Sequence, residues 1–186
     1  MMGSVMDKKE LTVQVHGLKN FTDQEKVKFK DAVRLLHKVI NSEDFKKRFL
    51  NLKLVETTGK TNIQIFKELF SGKDKFNTVS DHDVDVYATM YYSFKRTVGY
   101  TYPDTWKTWI NRKYFSNPAD IAGNIIHEYM HNLGYGHSSP RQKMSVPYAA
   151  GDLVRDMINE MSGSKNKSEK KCKRLWYFLW LKKSCN

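Results

Sequence analysis

The stretch HEYMHNLGYGH, residues 127–137, holds three of the chain's six histidines. On a helix, residues four apart lie on one face, so His127 and His131 can present their rings to one metal ion with Glu128 beside them. His137 lies six residues further on and cannot reach that ion if the helix continues. Gly134 stands where a turn with positive φ can end the helix and bring the chain back. The pattern predicts a folded three-histidine metal site.

The donor set of this site indicates zinc chemistry. Three neutral ring nitrogens leave a fourth zinc position open, as in catalytic sites and unlike closed four-ligand structural sites. Zinc lowers the pKa of its bound water towards about 7, and Glu128 lies where it can take that proton as a general base. Chance gives on the order of 10⁻⁵ occurrences of the full pattern in a chain of this composition. We therefore expect a Zn²⁺ cofactor and amide hydrolysis, and not three structural histidines without a metal.

Helix signals precede the histidines. Ser116 or Asn117 can cap a helix, Pro118 suits its first turn, and a carboxylate at position 120 lies near the positive end of its dipole. Gly134 is expected to end it. The three motif residues at 127, 128 and 131 would then all lie on one helix.

Strand patterns occupy several other parts of the chain. Residues 11–18 alternate between apolar and polar side chains, and residues 84–92 and 105–111 are rich in strand formers. Residues 98–104, VGYTYPD, are typical of a turn-like connection. Residues 62–70 fit either a short helix or a strand. The sequence therefore predicts at least three strands.

Two further helices are predicted. Thr22 and Glu25 match a capping box that opens a helix running through residues 27–40. One face of that helix would carry Val27, Val33, Leu36 and Ile40. After the histidine motif we expect a loop over residues 138–151 and then a final helix capped by Asp152.

The histidine motif resembles the signature of the metzincin clan of zinc peptidases. The resemblance covers residues 105–148, roughly a quarter of the chain, and implies a methionine turn beneath the metal, for which Met144 is the match. The short loop after His137 is most similar to that of matrix-metalloproteinase-like enzymes, although no individual family is identified. In those enzymes the segment after the methionine forms the outer wall of a substrate pocket, and Val146, Pro147 and Tyr148 are the matching residues. Here the proline follows the methionine by three positions instead of two.

The resemblance also implies a fold. We expect a zincin-like α+β fold: a twisted, mostly parallel sheet with backing helices, an active-site helix, and a small C-terminal subdomain containing the Met-turn and a helix. An edge strand before the active-site helix would pair with an extended substrate, and residues 105–111 occupy that position. Trp106 and Trp109 would then contact substrate from opposite faces of the strand. The alternative is that both tryptophans only pack.

The C-terminal segment differs from the rest of the chain. Residues 165–186 hold seven lysines and one arginine against one glutamate, so they carry +7 of the net charge of +12. We divide the chain into a catalytic domain, residues 1–163, and a basic, tryptophan-rich tail, residues 164–186. The tail contains Cys172 and Cys185 and is too short in its apolar part to span a bilayer. It is interpreted as a docking segment for an anionic membrane surface or an acidic partner, or as a segment packed on the catalytic domain.

A second, weaker metal candidate lies at DHDVD, residues 81–85. Three carboxylates and a histidine can hold a structural zinc or calcium ion, but their spacing matches no calcium loop. A solvated acidic loop is the alternative, and the favoured one.

Together these patterns predict a zinc-dependent endopeptidase that hydrolyses protein or peptide substrates with a metal-activated water and Glu128 as general base. The alternative hypothesis is a basic protein that binds a membrane surface or nucleic acid and whose zinc site is vestigial or secondary. Nucleic acid is the less favoured partner, and we expect a monomer. The clan resemblance favours a secreted or cell-envelope location, and no signal peptide is visible in the chain.

Overall fold

The computed structural model describes residues 9–74, 77–102, 105, 107–139 and 142–163. Within these residues the chain has the predicted α+β fold with a mostly parallel sheet, and the structure contains five α-helices and four strands. The elements in chain order are β1 (Thr12–Lys19), α1 (Asp23–Ile40), α2 (Glu43–Leu50), α3 (Asn62–Ser71), β2 (Asp83–Tyr91), β3 (Gly99–Thr101), β4 (Lys107–Asn111), α4 (Pro118–Asn132) and α5 (residues 146–163).

The sheet has the strand order β1-β2-β4-β3, in which β1, β2 and β4 are parallel and β3 runs antiparallel to β4. Burial alternates along β2, because successive side chains of a strand point to opposite faces. Its buried positions, Val84, Val86, Ala88 and Met90, belong to the hydrophobic core. The helices therefore cover one face of the sheet, and the polar and aromatic side chains of β2 lie on the other.

The N-terminal helices form where capping signals occur. The predicted capping box at α1 is present: the Thr22 hydroxyl accepts from the Glu25 N–H, and the Glu25 carboxylate accepts from the Thr22 N–H. Leu36 and Ile40 are buried as predicted, but Val27 is 62% exposed, so its assignment to the apolar face was wrong. The ambiguous residues 62–70 are helical, and a capping box formed by Thr61 and Gln64 explains their start.

The edge strand differs from the prediction. Residues 105–111 contribute β4, which lies inside the sheet between β2 and β3 and cannot offer a free edge to a substrate. Among the described strands the edge strand on this side of the sheet is β3, within the segment that was predicted to be only a turn-like connection. Sequence pattern missed β3 because three residues are too few for an alternating pattern to be recognised.

The final helix starts earlier than predicted. It begins at residue 146, directly after Ser145, and the Ala149 N–H donates to the Ser145 carbonyl over 2.9 Å. Pro147 lies in the first turn, where a residue without an N–H is tolerated. Asp152 is therefore inside α5, where it pairs with Arg155 at 2.8 Å, and is not a cap.

Helices α4 and α5 cross with their backbones in close approach. A Cβ atom on Gly123 would lie 2.7 Å from the Gly151 carbonyl oxygen, and one on Gly151 would lie 2.6 Å from the Gly123 carbonyl oxygen and 3.2 Å from the Cβ of His127. Only glycine fits at either position without a shift of the helices. This crossing sets α5 directly against the part of α4 that carries the histidine motif.

The tail, residues 164–186, lies outside the described residues, so its predicted partners and the domain boundary stay predictions. Among the described helices, none combines the length and the apolar character needed to cross a membrane.

Candidate metal centre

Helix α4 presents the first two histidines and the glutamate. Asn117 caps it by accepting from the Asp120 N–H, so the second of the two predicted caps is the one used. Ten of its fifteen residues are buried, which makes it a central helix with a fixed rotation about its axis. The orientation of His127, Glu128 and His131 therefore follows from the packing of the whole helix.

The chain turns back after α4 at Gly134. This residue has φ +92°, a backbone conformation that residues with a Cβ atom rarely adopt. Its N–H donates to the His131 carbonyl over 3.0 Å. The Tyr135 N–H donates to the Met130 carbonyl over 3.0 Å, which satisfies a helix-end acceptor in the manner of a Schellman motif. The turn returns His137 towards the helix face, as the sequence predicts.

The structure brings His127, His131 and His137 together. One ring nitrogen from each lies within 4.8 Å of the other two, and the ring centroids are 5.0 to 5.5 Å apart, close to an equilateral triangle. Within the described part of the chain this is the one cluster of potential metal ligands. Three imidazoles in this arrangement, near a helix and a mixed sheet, can hold a metal ion and are consistent with a zincin-like site.

Two backbone carbonyls orient the histidine rings. The Nδ1 atom of His131 lies 2.7 Å from the Tyr135 carbonyl oxygen, which leaves Nε2 for a metal. The His127 ring hydrogen-bonds the Pro147 carbonyl at the start of α5. Burial, reinforced by the two neighbouring histidines, lowers the pKa of His127 to about 3. His127 is therefore neutral at physiological pH, as a ligand must be.

Glu128 lies almost fully buried beside the histidines, with 3% of its surface exposed. Burial raises the pKa of its carboxyl to about 7, and a hydrogen bond from Thr101 on β3 opposes that rise. The Oε2 atom has no hydrogen-bond partner among the described residues. Its carboxyl is thus contacted by β3 on one side, and its buried Oε2 atom is left without a protein partner among the described residues.

A groove of about 960 Å³ runs along α4 from Asp120 in its first turn to Gly134 at its end. Residues of β3 line one side, and residues of α5 line another. The histidine triad and Glu128 lie in its wall, so the candidate metal centre faces an open cleft large enough for a peptide segment.

Of the predicted substrate-contacting residues after Met144, one lines the groove and two do not. Tyr148 lines the groove, with its ring centroid 4.6 Å from that of His127 and 4.7 Å from that of His137. Val146 and Pro147 are buried and do not line the groove, and the Pro147 carbonyl hydrogen-bonds His127. The predicted outer wall is thus the first turn of α5 and not an extended segment.

The two tryptophans have different outcomes. Trp109 on β4 packs in parallel with Tyr100 at 5.3 Å and edge-on against Tyr102 at 5.1 Å, and it is not among the residues that line the groove. The packing alternative therefore describes Trp109, since a side chain of an interior strand projects from the sheet face. Trp106 lies outside the described residues.

Met144 lies in a turn directly before α5 and is partly buried. Its carbonyl accepts from the Val55 N–H over 2.9 Å, and Ser145 forms a parallel bridge with Val55. The predicted methionine turn is therefore tied to the loop between α2 and α3, a contact that spans about half the chain.

The acidic stretch 81–85 is not the loop that was expected. Asp83 and Asp85 are already part of β2, and Asp85 pairs with His16 of β1 at 2.5 Å. The Asp81 carboxylate accepts from the Asp83 N–H over 3.0 Å. These carboxylates serve strand pairing and the turn before the strand.

Sequence patterns missed three contributors to the site: Thr101, the Pro147 carbonyl and Glu56, whose carboxylate accepts from the Ser138 N–H over 3.0 Å. The early start of α5 was signalled by its proline. Nothing in the sequence singles out Thr101 or Glu56, because both act through contacts between distant segments.

No protein-family model matches the chain, and no curated protein sequence matches it.

Proposed function

We propose that the chain is a zinc-dependent endopeptidase of the metzincin clan that acts on protein or peptide substrates. The observation that carries this proposal is the convergence of His127, His131, His137 and the buried Glu128 on one groove. The donor set fits zinc, because imidazole suits this ion and no further protein ligand closes the site among the described residues.

The histidines would hold the ion, which when bound would polarise a substrate carbonyl and activate a water molecule. Within this donor set His127 is neutral at physiological pH, because its pKa is lowered to about 3. Since carbonyl groups occupy one nitrogen of His131 and of His127, each ring keeps its other nitrogen for the ion.

Glu128 is the group suited to move protons. Its pKa near 7 lies in the range where a carboxyl can both accept and release a proton at neutral pH. The Thr101 hydroxyl hydrogen-bonds the carboxyl, and the Oε2 atom is buried without a hydrogen-bond partner among the described residues. In the proposed reaction Glu128 takes a proton from the attacking water and passes it to the leaving amine.

Strand β3 is suited to bind an extended peptide. It pairs with β4 and, within the described residues, with no other strand, so its outer edge is open beside the groove. A Cβ atom at Gly99 would lie only 2.8 Å from Asn124 Nδ2 of α4, so this glycine lets β3 run close over the active-site helix. An extended peptide that forms backbone hydrogen bonds with this edge would lie in the groove that the histidines line.

Tyr148 adds a hydrogen-bond donor. Burial, with the nearby carboxylates of Glu128 and Asp152, raises the pKa of its hydroxyl. The hydroxyl therefore stays protonated at neutral pH and can donate to an oxygen of the substrate.

The proposal is tested with the full-length protein and its Glu128→Gln variant. Zinc content would be measured by elemental analysis after dialysis, and cleavage would be measured with a mixed peptide library. We expect one zinc per chain in both proteins and a loss of cleavage of about 10²-fold or more in the variant, because the proton acceptor is removed.

Zinc binding without any cleavage that depends on Glu128 would contradict the peptidase proposal. It would favour the alternative, a basic binding protein with a secondary zinc site. Absence of zinc from the wild-type protein would contradict the metal assignment itself.

A further inference from the structure

The loop between α2 and α3 reaches the segment that carries the third histidine. The Val55 N–H donates to the Met144 carbonyl over 2.9 Å, and the next residue, Glu56, accepts with Oε1 from the Ser138 N–H over 3.0 Å. Val55 and Glu56 are called the brace below. The brace contacts the chain directly after His137 and again at the turn before α5, so it touches both ends of the segment between them.

The backbone of the brace is in an unusual conformation. Glu56 has φ +56°, and Thr58 and Gly59 in the same loop have φ +54° and +82°. A glutamate in the left-handed region is disfavoured and persists where its surroundings hold it. The Ser138 contact and the neighbouring bridge between Val55 and Ser145 are the interactions that hold it.

The Glu56 carboxylate is not explained by its own loop. Its Oε1 atom contacts a residue 82 positions away, and its Oε2 atom is buried without a hydrogen-bond partner among the described residues. A buried carboxylate oxygen without a partner is unfavourable. Its presence is better accounted for by what the other oxygen does, which is to fix the Ser138 amide by a charge-assisted hydrogen bond.

His137 is the ligand that needs such support. His127 and His131 are fixed by α4, whereas His137 lies beyond the helix end and depends on the path of the loop after Gly134. Ser138 is its immediate neighbour, so a fixed Ser138 amide restricts the position from which the His137 ring projects.

The start of the same loop is held by α3. The Tyr135 hydroxyl donates to Glu68 at 2.5 Å, and Lys60 pairs with Glu68 at 2.8 Å and lies 5.3 Å from the Tyr135 ring centroid. The Tyr135 carbonyl in turn accepts a hydrogen bond from the His131 ring. Residues 55–68 therefore contact the loop on both sides of His137, at Tyr135 and at Ser138.

We propose that Glu56 is a positioning residue for the metal centre: by holding the Ser138 amide, it keeps the His137 ring within reach of the ion that His127 and His131 bind. The inference rests on the metal centre of the proposed function and not on peptide hydrolysis. It predicts that Glu56 determines metal affinity and coordination without touching the ion.

The test compares full-length wild-type protein with Glu56→Ala, Glu56→Gln and the control Glu160→Ala. Glu160 is matched because it too makes a contact between distant elements, accepting from Arg48 of α2, but it lies away from the histidines. Zinc affinity would be measured by competition with a chromophoric chelator, and the visible spectrum of the Co²⁺-substituted protein would report the ligand number. Cleavage activity is not needed for either measurement.

We expect Glu56→Ala to weaken zinc binding by about 10-fold, the low end of the effect of removing a group bonded to a ligand, because Glu56 acts on His137 through Ser138, and to change the Co²⁺ spectrum. Glu56→Gln retains a carbonyl acceptor for the Ser138 N–H and should bind zinc within about 3-fold of the wild type. Glu160→Ala should match the wild type in both measurements.

The proposal is overturned if Glu56→Ala retains wild-type affinity and spectrum, or if Glu160→Ala loses as much affinity. It is also overturned if Glu56→Gln is as weak as Glu56→Ala, because the hydrogen bond is what the proposal invokes. Failure of the wild type to bind zinc would instead overturn the metal assignment. Zinc binding without peptide cleavage would overturn only the peptidase function, with the brace still measurable.

Discussion

At the scale of single residues, burial shifts the pKa values of two adjacent side chains of α4 in opposite directions. It lowers the pKa of His127 to about 3 and raises that of Glu128 to about 7. Both shifts favour the neutral form, because a buried charge is poorly solvated. In the metal-free site these two groups are thus shifted towards their neutral forms, and a bound dication would supply the charge that favours an ionised Glu128.

The shifted pKa of Glu128 predicts how the stability of the metal-free protein depends on pH. The unfolded chain releases the Glu128 proton near pH 4.5 and the folded chain near pH 7. Between these values the folded state holds a proton that the unfolded state has lost, so its free energy of unfolding falls as the pH rises. Glu128→Gln does not titrate. It should therefore gain on the order of 3 kcal/mol relative to wild type between pH 4 and pH 8.

Urea unfolding of both metal-free proteins at pH 4 and pH 8 measures this gain. The histidine titrations are common to the two proteins and cancel in the comparison. An equal difference in unfolding free energy at both pH values would contradict the assigned pKa shift of Glu128.

At the scale of elements, the crossing of α4 and α5 determines where the Pro147 carbonyl and Tyr148 meet the histidines. Because Gly123 and Gly151 let the two backbones touch, α5 begins within hydrogen-bonding reach of His127. A helix pair separated by ordinary side chains would lie farther apart, with axes 8 to 10 Å from each other.

Gly151→Ala tests this crossing. The new methyl group would lie 2.6 Å from the Gly123 carbonyl oxygen and 3.2 Å from the His127 Cβ, so the helices must separate. We expect a loss of about 1–3 kcal/mol in unfolding free energy from overpacking, together with weaker zinc binding. Gly163→Ala in the same helix is the control, since nothing lies within 4 Å of its added methyl group. Urea denaturation and zinc titration of the two variants would be compared, and equal behaviour would refute this role of the crossing.

The elements also show what local sequence can predict. The capping box of α1, the strand β2 and the positive φ of Gly134 follow from signals within a few residues, and the structure contains all three. The place of β4 inside the sheet was not predictable in this way, because strand order depends on pairing between distant segments. The start of α5 carries a local signal in Pro147, but Asp152, which is also a capping residue by type, was predicted as the start instead.

At the scale of the whole molecule, the candidate site joins parts of the chain that are far apart in sequence. The candidate ligands come from α4 and the loop after it, β3 contacts Glu128, and the brace comes from the first third of the chain. The spacing of the three histidines predicted that they lie together, since this spacing is local. The support from residues 55–68 was not predictable, because each contact appears only when the chain is folded.

This long-range construction predicts that zinc stabilises the folded molecule as a whole. A ligand that binds only the folded state adds about 2.7 kcal/mol at a free concentration of 100 times its Kd, which for a chain of 186 residues corresponds to a Tm increase of about 5–10 °C. The increase would be measured by calorimetry on chelator-treated protein with and without zinc. Without zinc, the Tm of His137→Ala should be close to that of the metal-free wild type. With zinc, most of the Tm increase should be lost in this variant, since the two histidines that remain on α4 hold zinc weakly. Magnesium is the control ion, because it prefers oxygen ligands and should leave the Tm unchanged. An equal zinc-induced increase in His137→Ala would mean that the ion binds elsewhere, and the long-range arrangement around His137 would then not be a metal centre.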